Sequence, residues 1–255
     1  MLDDDDRNVL VIGVDCATDP RKVGLAWGLW DGEACEVREM QAAGLEISPA
    51  TWIVERIRAH RRCRCLLALD APLGWPAGFG ASLAEHNAGQ PIHTRPADFF
   101  RRATDEFIAR SIGRRPLDVG AERIARTALS ALQLVAQVSG RLGEDIPLLW
   151  GQDAPCGLGA VEVYPAALLK VLKLPSSGYK DDAQLAVREQ ILAGLTNQIH
   201  FAANLSVSLA LKDADVLDAV ISVAAGADFL AGRSMPPEDL GLAQKEGWIW
   251  VRQPS

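Results

Sequence analysis

The chain has 255 residues, 49% hydrophobic and 23% charged, with a formal net charge of -7. That allows one large α/β domain or two small ones with the composition of an ordinary globular protein. The acidic total argues against a protein that coats nucleic acid nonspecifically, though not against an enzyme with a local basic face. No apolar run approaches the roughly 18 residues needed to cross a bilayer, so no membrane partner is expected.

The acidic start Met1 to Asp6 is the reverse of a signal peptide's basic opening and reads as a solvated tail. Five cysteines, Cys16, Cys35, Cys63, Cys65 and Cys156, are odd in number and lack disulfide-framework or zinc-knuckle spacing. They read as reduced thiols of a cytoplasmic protein.

The first element is the apolar, β-branched run Val9 to Asp15, too short for a typical helix and expected as a buried strand. Val23 to Trp30 and Ala34 to Met40 follow, joined by Asp31-Gly32, a hairpin cue. Three consecutive antiparallel strands are expected. A helix should run from Pro49 to Arg61 with Ser48 as candidate N-cap and Trp52, Val54 and Ile57 among its apolar positions. Cys65 to Asp70 reads as a second buried strand ending in an acid. Its exit, Ala71-Pro72-Leu73-Gly74-Trp75-Pro76, is barred from regular structure by its prolines and glycine.

From about residue 78 to 159 the pattern is helical and loop-rich, with its best helix from Ala121 to Val138. This stretch reads as an insertion into a single domain spanning 1–255, because no linker-like composition separates it. Val161 to Pro165 is a third extended segment, followed by helices from Ala166 to Lys173 and from Lys180 to Ala193. Asp213 to Gly232 is apolar on most sides and reads as a buried helix against the sheet, with Asp213 as its N-cap. Glu246 to Val251 is expected as an edge strand or hairpin.

Acids fall at informative places. Asp15 and Asp70 each end an apolar strand, and Asp215 and Asp218 share one face near the start of the buried helix. Ligands of open α/β sheets gather at the carboxyl ends of parallel strands. If the helix face leans on those ends, Asp15, Asp70, Asp215 and Asp218 meet in one cavity. Such crowded hard-oxygen donors call for protons or for divalent cations, Mg2+ or Mn2+ rather than softer metals. Asp218 is the hardest to read as mere surface charge, since Val216, Leu217, Ala219 and Val220 surround it.

The runs Val11 to Asp15, Leu69 to Pro76, Arg102-Ala103-Thr104-Asp105, Val161 to Ala166, Asp215 to Ala219 and Glu246 to Ile249 stand in a fairly specific order. In that order they resemble domain-of-unknown-function family 429, across nearly the whole chain. That family is regarded as ribonuclease H-like and as predicted nucleases related to RuvC-type resolvases. The resemblance implies an α/β fold with a mixed sheet, three antiparallel strands then parallel ones, flanked by helices. It implies Asp15, Asp70, Asp215 and Asp218 as metal-binding catalytic acids. Glu162 falls in a family motif, as a ligand or as a structural acceptor. Arg102 and Asp105 are implied as supporting residues, a phosphate contact and its orienting partner.

The expected function is therefore a metal-dependent nuclease with nucleic acid as its partner; self-association as a homodimer is left open. Two alternatives stand beside it: an actin-like phosphotransferase, suggested by the loop Asp15-Cys16-Ala17-Thr18, and a noncatalytic interaction protein on the same scaffold. Arg101, Arg102, Arg110, Arg114 and Arg115 are the basic group best placed for phosphate contact. His93 would serve as a proton shuttle if its loop folds over the acids. Trp75 reads as wall packing, with base stacking as the alternative.

Overall fold

The computed structural model describes residues 8–44, 48–120, 122–181 and 183–254, with Glu122 described by its backbone alone. The expected acidic tail and the expected helix start at Ala121 lie outside these residues. The opening is the antiparallel meander read from the sequence: β1 (Val9–Asp15), β2 (Gly24–Trp30) and β3 (Cys35–Ala42). The Asp31-Gly32 turn closes because the Asp31 carboxylate accepts the amides of Glu33 and Ala34 at 2.9 and 2.8 Å, while Gly32 takes the left-handed φ of 108°.

Helix α1 (Pro49–Ala59) follows Ser48, which stands at the cap position without a side-chain capping bond; Pro49 presets the first helical φ instead. It buries Trp52, Val54 and Ile57 as expected. Next comes β4 (Arg64–Asp70), which lies parallel to β1. Helices α2 (Ala77–Leu83), α3 (Pro96–Phe100), α4 (Ala103–Ile112) and α5 (Glu122–Leu142) then intervene before β5 (Leu158–Glu162), parallel to β4.

After α6 (Pro165–Val171) the chain departs from expectation. The next helix, α7 (Leu185–Leu195), begins five residues later than read from the pattern, which leaves Lys180 in a turn. The two-residue strand β6 (His200–Phe201) then pairs parallel with β3, too short to leave a pattern in the sequence. After α8 (Ser208–Lys212) comes the long α9 (Ala214–Leu230), capped as expected by the Asp213 carboxylate, which accepts the amides of Asp215 and Val216 at 2.9 and 3.3 Å. A last helix, α10 (Leu240–Glu246), replaces the start of the expected terminal strand. Gly247 reverses the chain at φ 87°, and the Ile249 amide is held by the Thr104 hydroxyl at 2.9 Å. Ile249 makes a single bridge to Glu162, so Trp248 to Val251 lie buried beside β5 rather than forming a regular edge strand.

Among the described residues the sheet has six strands in the order β5-β4-β1-β2-β3-β6. It is the mixed sheet expected, antiparallel in the meander and parallel beyond it, with helices on both faces, and is consistent with a ribonuclease H-like fold. One face is covered by α6 to α9, the other by α1 and α5, each with its own apolar core. Helix α9 sits unusually close. A methyl group on Gly13 would fall 2.1 Å from the Ala219 carbonyl, and one on Gly24 would fall 1.9 Å from that of Asp215. Those glycines bring the first turns of α9 down onto the carboxyl end of β1. No helix among the described residues is long and apolar enough to cross a membrane.

Candidate metal centre

Register decides which acids meet. β1 and β4 run in parallel with Asp15 directly opposite Asp70, so two neighbouring strands end in carboxylates on the same face of the sheet. That is the face on which α9 lies, and Asp218, one turn into the helix, comes down between them. Asp15, Asp70 and Asp218 each offer an oxygen, and the three oxygens lie within 4.8 Å of one another. Asp15 and Asp218 are 8% and 1% exposed. Asp215 borders the same cavity and is half-buried beside Asp15, outside the tight group of three.

Burial dominates the electrostatics. It raises the Asp15 carboxyl well above the ordinary carboxylate range, reinforced by Asp218 and Asp70. Burial, with Asp218 adding to it, pushes Asp70 up to about 8. Asp218 and Asp215 are also raised, again by burial first, with Lys180 pulling both back. The Lys180 ammonium lies 2.5 Å from one Asp218 oxygen, and the Tyr179 hydroxyl donates to the other at 2.7 Å. Buried Arg188 holds that turn in place, donating to the Tyr179 and Asp181 carbonyls at 2.5 and 2.9 Å. Sequence reasoning placed Lys180 on a helix and missed both it and Tyr179. The Ser176-Ser177-Gly178 run just before them, a turn signal, was the one available cue.

Glu162 does not join the three aspartates. It is paired in register with Leu69, one step from Asp70, and strand alternation turns it to the opposite face. There Arg102 grips it twice at 2.7 Å, and the Leu73 amide donates to it at 2.9 Å. The same guanidinium donates to Asp105 at 2.9 Å, while the Asp105 carboxylate caps the Arg102 amide at 2.9 Å. Arg102, Asp105 and Glu162 are all at most 4% exposed. Of the two readings of Glu162, the structure favours the acceptor: it lines the same cavity and adds to the raising of Asp70, but its oxygens are held by Arg102 and it stays outside the tight group of three. Arg102 borders the acidic cavity as a supporting residue, but it is 1% exposed and its guanidinium is engaged by two carboxylates, Asp105 and Glu162.

Other expectations are also redistributed. Arg101 pairs with Asp118, Arg110 with Glu238, and Arg115 lies 3.9 Å from Glu106. His93 does not reach the acids; with His86 it borders a separate cavity of about 680 Å³. Trp75 is half-buried and outside the lining of the acidic cavity. That cavity, about 710 Å³, is lined by Asp15, Asp70 and Asp215 together with residues of the Cys16 to Lys22 loop and of the start of α5, with Asp218 outside the lining.

The donors suit a hard divalent cation. All three converging groups are carboxylates, and the nearby Cys16 thiol is kept protonated by burial and aimed at the Val14 carbonyl at 3.9 Å.

Fold and centre together define a mixed α/β protein carrying a buried three-aspartate centre at the carboxyl ends of adjacent parallel strands. The family described as "Protein of unknown function (DUF429)" matches residues 13–240, and the chain belongs to it. No curated protein matches the chain.

Proposed function

We propose that this protein is a divalent-metal-dependent hydrolase of phosphodiester bonds, a nuclease using Mg2+ or Mn2+. The observation that carries this reading is the meeting of Asp15, Asp70 and Asp218 within 4.8 Å, drawn from three remote parts of the chain. Two full charges at that spacing repel by about 3 kcal/mol at an effective dielectric near 20, so the cluster favours a state in which cations offset them. Lys180 supplies one positive charge and not more. A bound divalent ion would lower the pKa of a water molecule and offset negative charge on a phosphoryl oxygen.

The chain's own groups have distinct tasks in this reading. Asp15 and Asp70, fixed by strand pairing, would hold the ion from the sheet. Asp218 would hold it from α9, with Tyr179 orienting its carboxylate and Lys180 restraining it. The low exposure of Asp15 and Asp218 limits water around the groups that would hold the ion.

The test is incubation of the purified protein with Mg2+ or Mn2+ and single-stranded, branched and hybrid nucleic acids. Cleavage is expected to need the metal and to fall by at least about a hundredfold in Asp70→Asn, as when a group acting directly at the reaction is lost. Cleavage that survives Asp70→Asn undiminished overturns the mechanism.

A further inference from the structure

The acidic cavity has a second character that the aspartates do not explain. Its lining also carries Lys22 from the loop after β1 and Arg123 and Arg126 from the first turns of α5, all three exposed. Several arginines away from the cavity are neutralised: Arg56, Arg95, Arg101 and Arg252 each lie against a carboxylate. Among the described residues Lys22, Arg123 and Arg126 have no ion-pair partner, although the chain carries a net charge of -7 and acids are plentiful. Arg123 and Arg126 are three apart on one helix and so project together.

Apolar groups interleave with these cations. Leu117, 68% exposed, and Ile124 border the same cavity. A lining that joins exposed cations, exposed Leu117 and partly exposed Ile124 with the carboxylates of Asp15 and Asp70 fits a ligand with matching parts: a phosphate near the cations and carboxylates, and a flat apolar body against Leu117 and Ile124. A nucleotide unit has both parts.

We infer that this wall is a nucleic-acid contact and that the substrate enters as a single strand, with Arg123 and Arg126 holding its phosphates and Leu117 meeting a base. This rests on the phosphodiesterase reading and names its substrate class. The cavity has the size of a pocket that encloses a small ligand, about one or two nucleotides. Asp15 and Asp70 line it alongside the cations, so the scissile phosphate must enter the cavity to reach them. A flexible single strand can bend in and unstack one base; a stacked duplex presents its phosphates on a broad, stiff surface. Basic side chains with apolar contacts to bases are the usual means of gripping such a strand.

The test uses fluorescence anisotropy of a short labelled single-stranded oligonucleotide, with Ca2+ replacing Mg2+ to slow turnover. A blunt duplex of the same sequence and a labelled mononucleotide are the other arms. The wild type is expected to bind the single strand most tightly. Arg123→Gln with Arg126→Gln should weaken that binding about tenfold or more and reduce the salt slope by about 1.4, the loss of two phosphate contacts. Leu117→Ser should weaken binding with the slope unchanged. Calorimetric Mn2+ affinity should be unaffected in all these variants, since none contributes a carboxylate.

Unchanged affinity and slope in the double variant overturns the inference. Duplex binding as tight as single-strand binding overturns the strand preference, and mononucleotide binding with no gain from a longer strand makes the ligand a free nucleotide instead. Absence of Mn2+ binding in the wild type would sink the metal-dependent reading separately, because the anisotropy titrations, repeated in chelator, report the arginine dependence without any metal.

Discussion

Asp70 shows at single-residue scale how the site couples charge to stability. Burial, assisted by Asp218, raises its carboxyl from 3.8 to about 8, with Lys180 opposing. A carboxyl raised in the folded state stabilises folding fully below its unfolded value and loses that contribution as pH rises through its folded value. The metal-free protein is therefore predicted to lose thermal stability progressively between about pH 4 and pH 8, and Asp70→Asn to show a shallower decline. Metal binding needs ionised carboxylates, so affinity for Mn2+ should climb over the same window with release of protons. Thermal melts in chelator and calorimetry in buffers of different ionisation enthalpy measure both. A flat melting profile together with proton-free binding would mean that the cluster is ionised without metal.

At the scale of elements, the site depends on how closely α9 approaches the sheet. Three aspartates converge because Gly13 and Gly24 leave no side chain between β-strand backbone and helix backbone. Gly13→Ala puts a methyl group against the Ala219 carbonyl, which must move. A cost of about 1–3 kcal/mol or more is expected in denaturant unfolding, the usual range for overpacking, together with weaker Mn2+ binding as Asp218 lifts away from Asp15. Gly140→Ala is the contrasting case: it lies within α5 with no heavy atom within 4 Å of the added carbon. It should gain roughly 0.5–1 kcal/mol from helix propensity alone and leave metal binding intact. Equal effects of the two substitutions would show that close seating of α9 is not what aligns the acids.

For the molecule as a whole, Arg102 joins parts of the chain that are far apart in sequence. Its guanidinium reaches Asp105 at the start of α4, Glu162 at the end of β5 and the Glu246 carbonyl at the end of α10. The Glu246 carboxylate in turn accepts the amides of Ala77 and Ala103 at 2.7 Å each. Arg102→Met would leave Glu162 and Asp105 as buried, uncompensated charges. Unfolding in denaturant is expected to show a loss of about 3–5 kcal/mol, the cost of removing one partner from a buried ion pair. A loss under about 1 kcal/mol would show that water or local rearrangement compensates the two acids.

Strand and helix periodicity carried most of the architecture in the primary sequence. The Asp-Gly hairpin, the apolar runs ending in Asp15 and Asp70, and the alanine-rich helix capped by Asp213 all obey local rules that need no distant partner. The three converging aspartates were legible for the same reason, since strand ends and one helix face are properties of short segments. What lay beyond the sequence depended on register and on contacts between remote residues. The one-step offset of Glu162 from Asp70 sends it to the other face of the sheet, into the grip of Arg102. Lys180 reaches Asp218 from a turn instead of riding on a helix, and Arg123 and Arg126 of α5 come to line the same cavity as the acids at the ends of β1 and β4. Local patterns set each segment's conformation and its polar and apolar sides, but electrostatic partnership depends on distance through space, and that was decided when the sheet closed and α9 settled onto it.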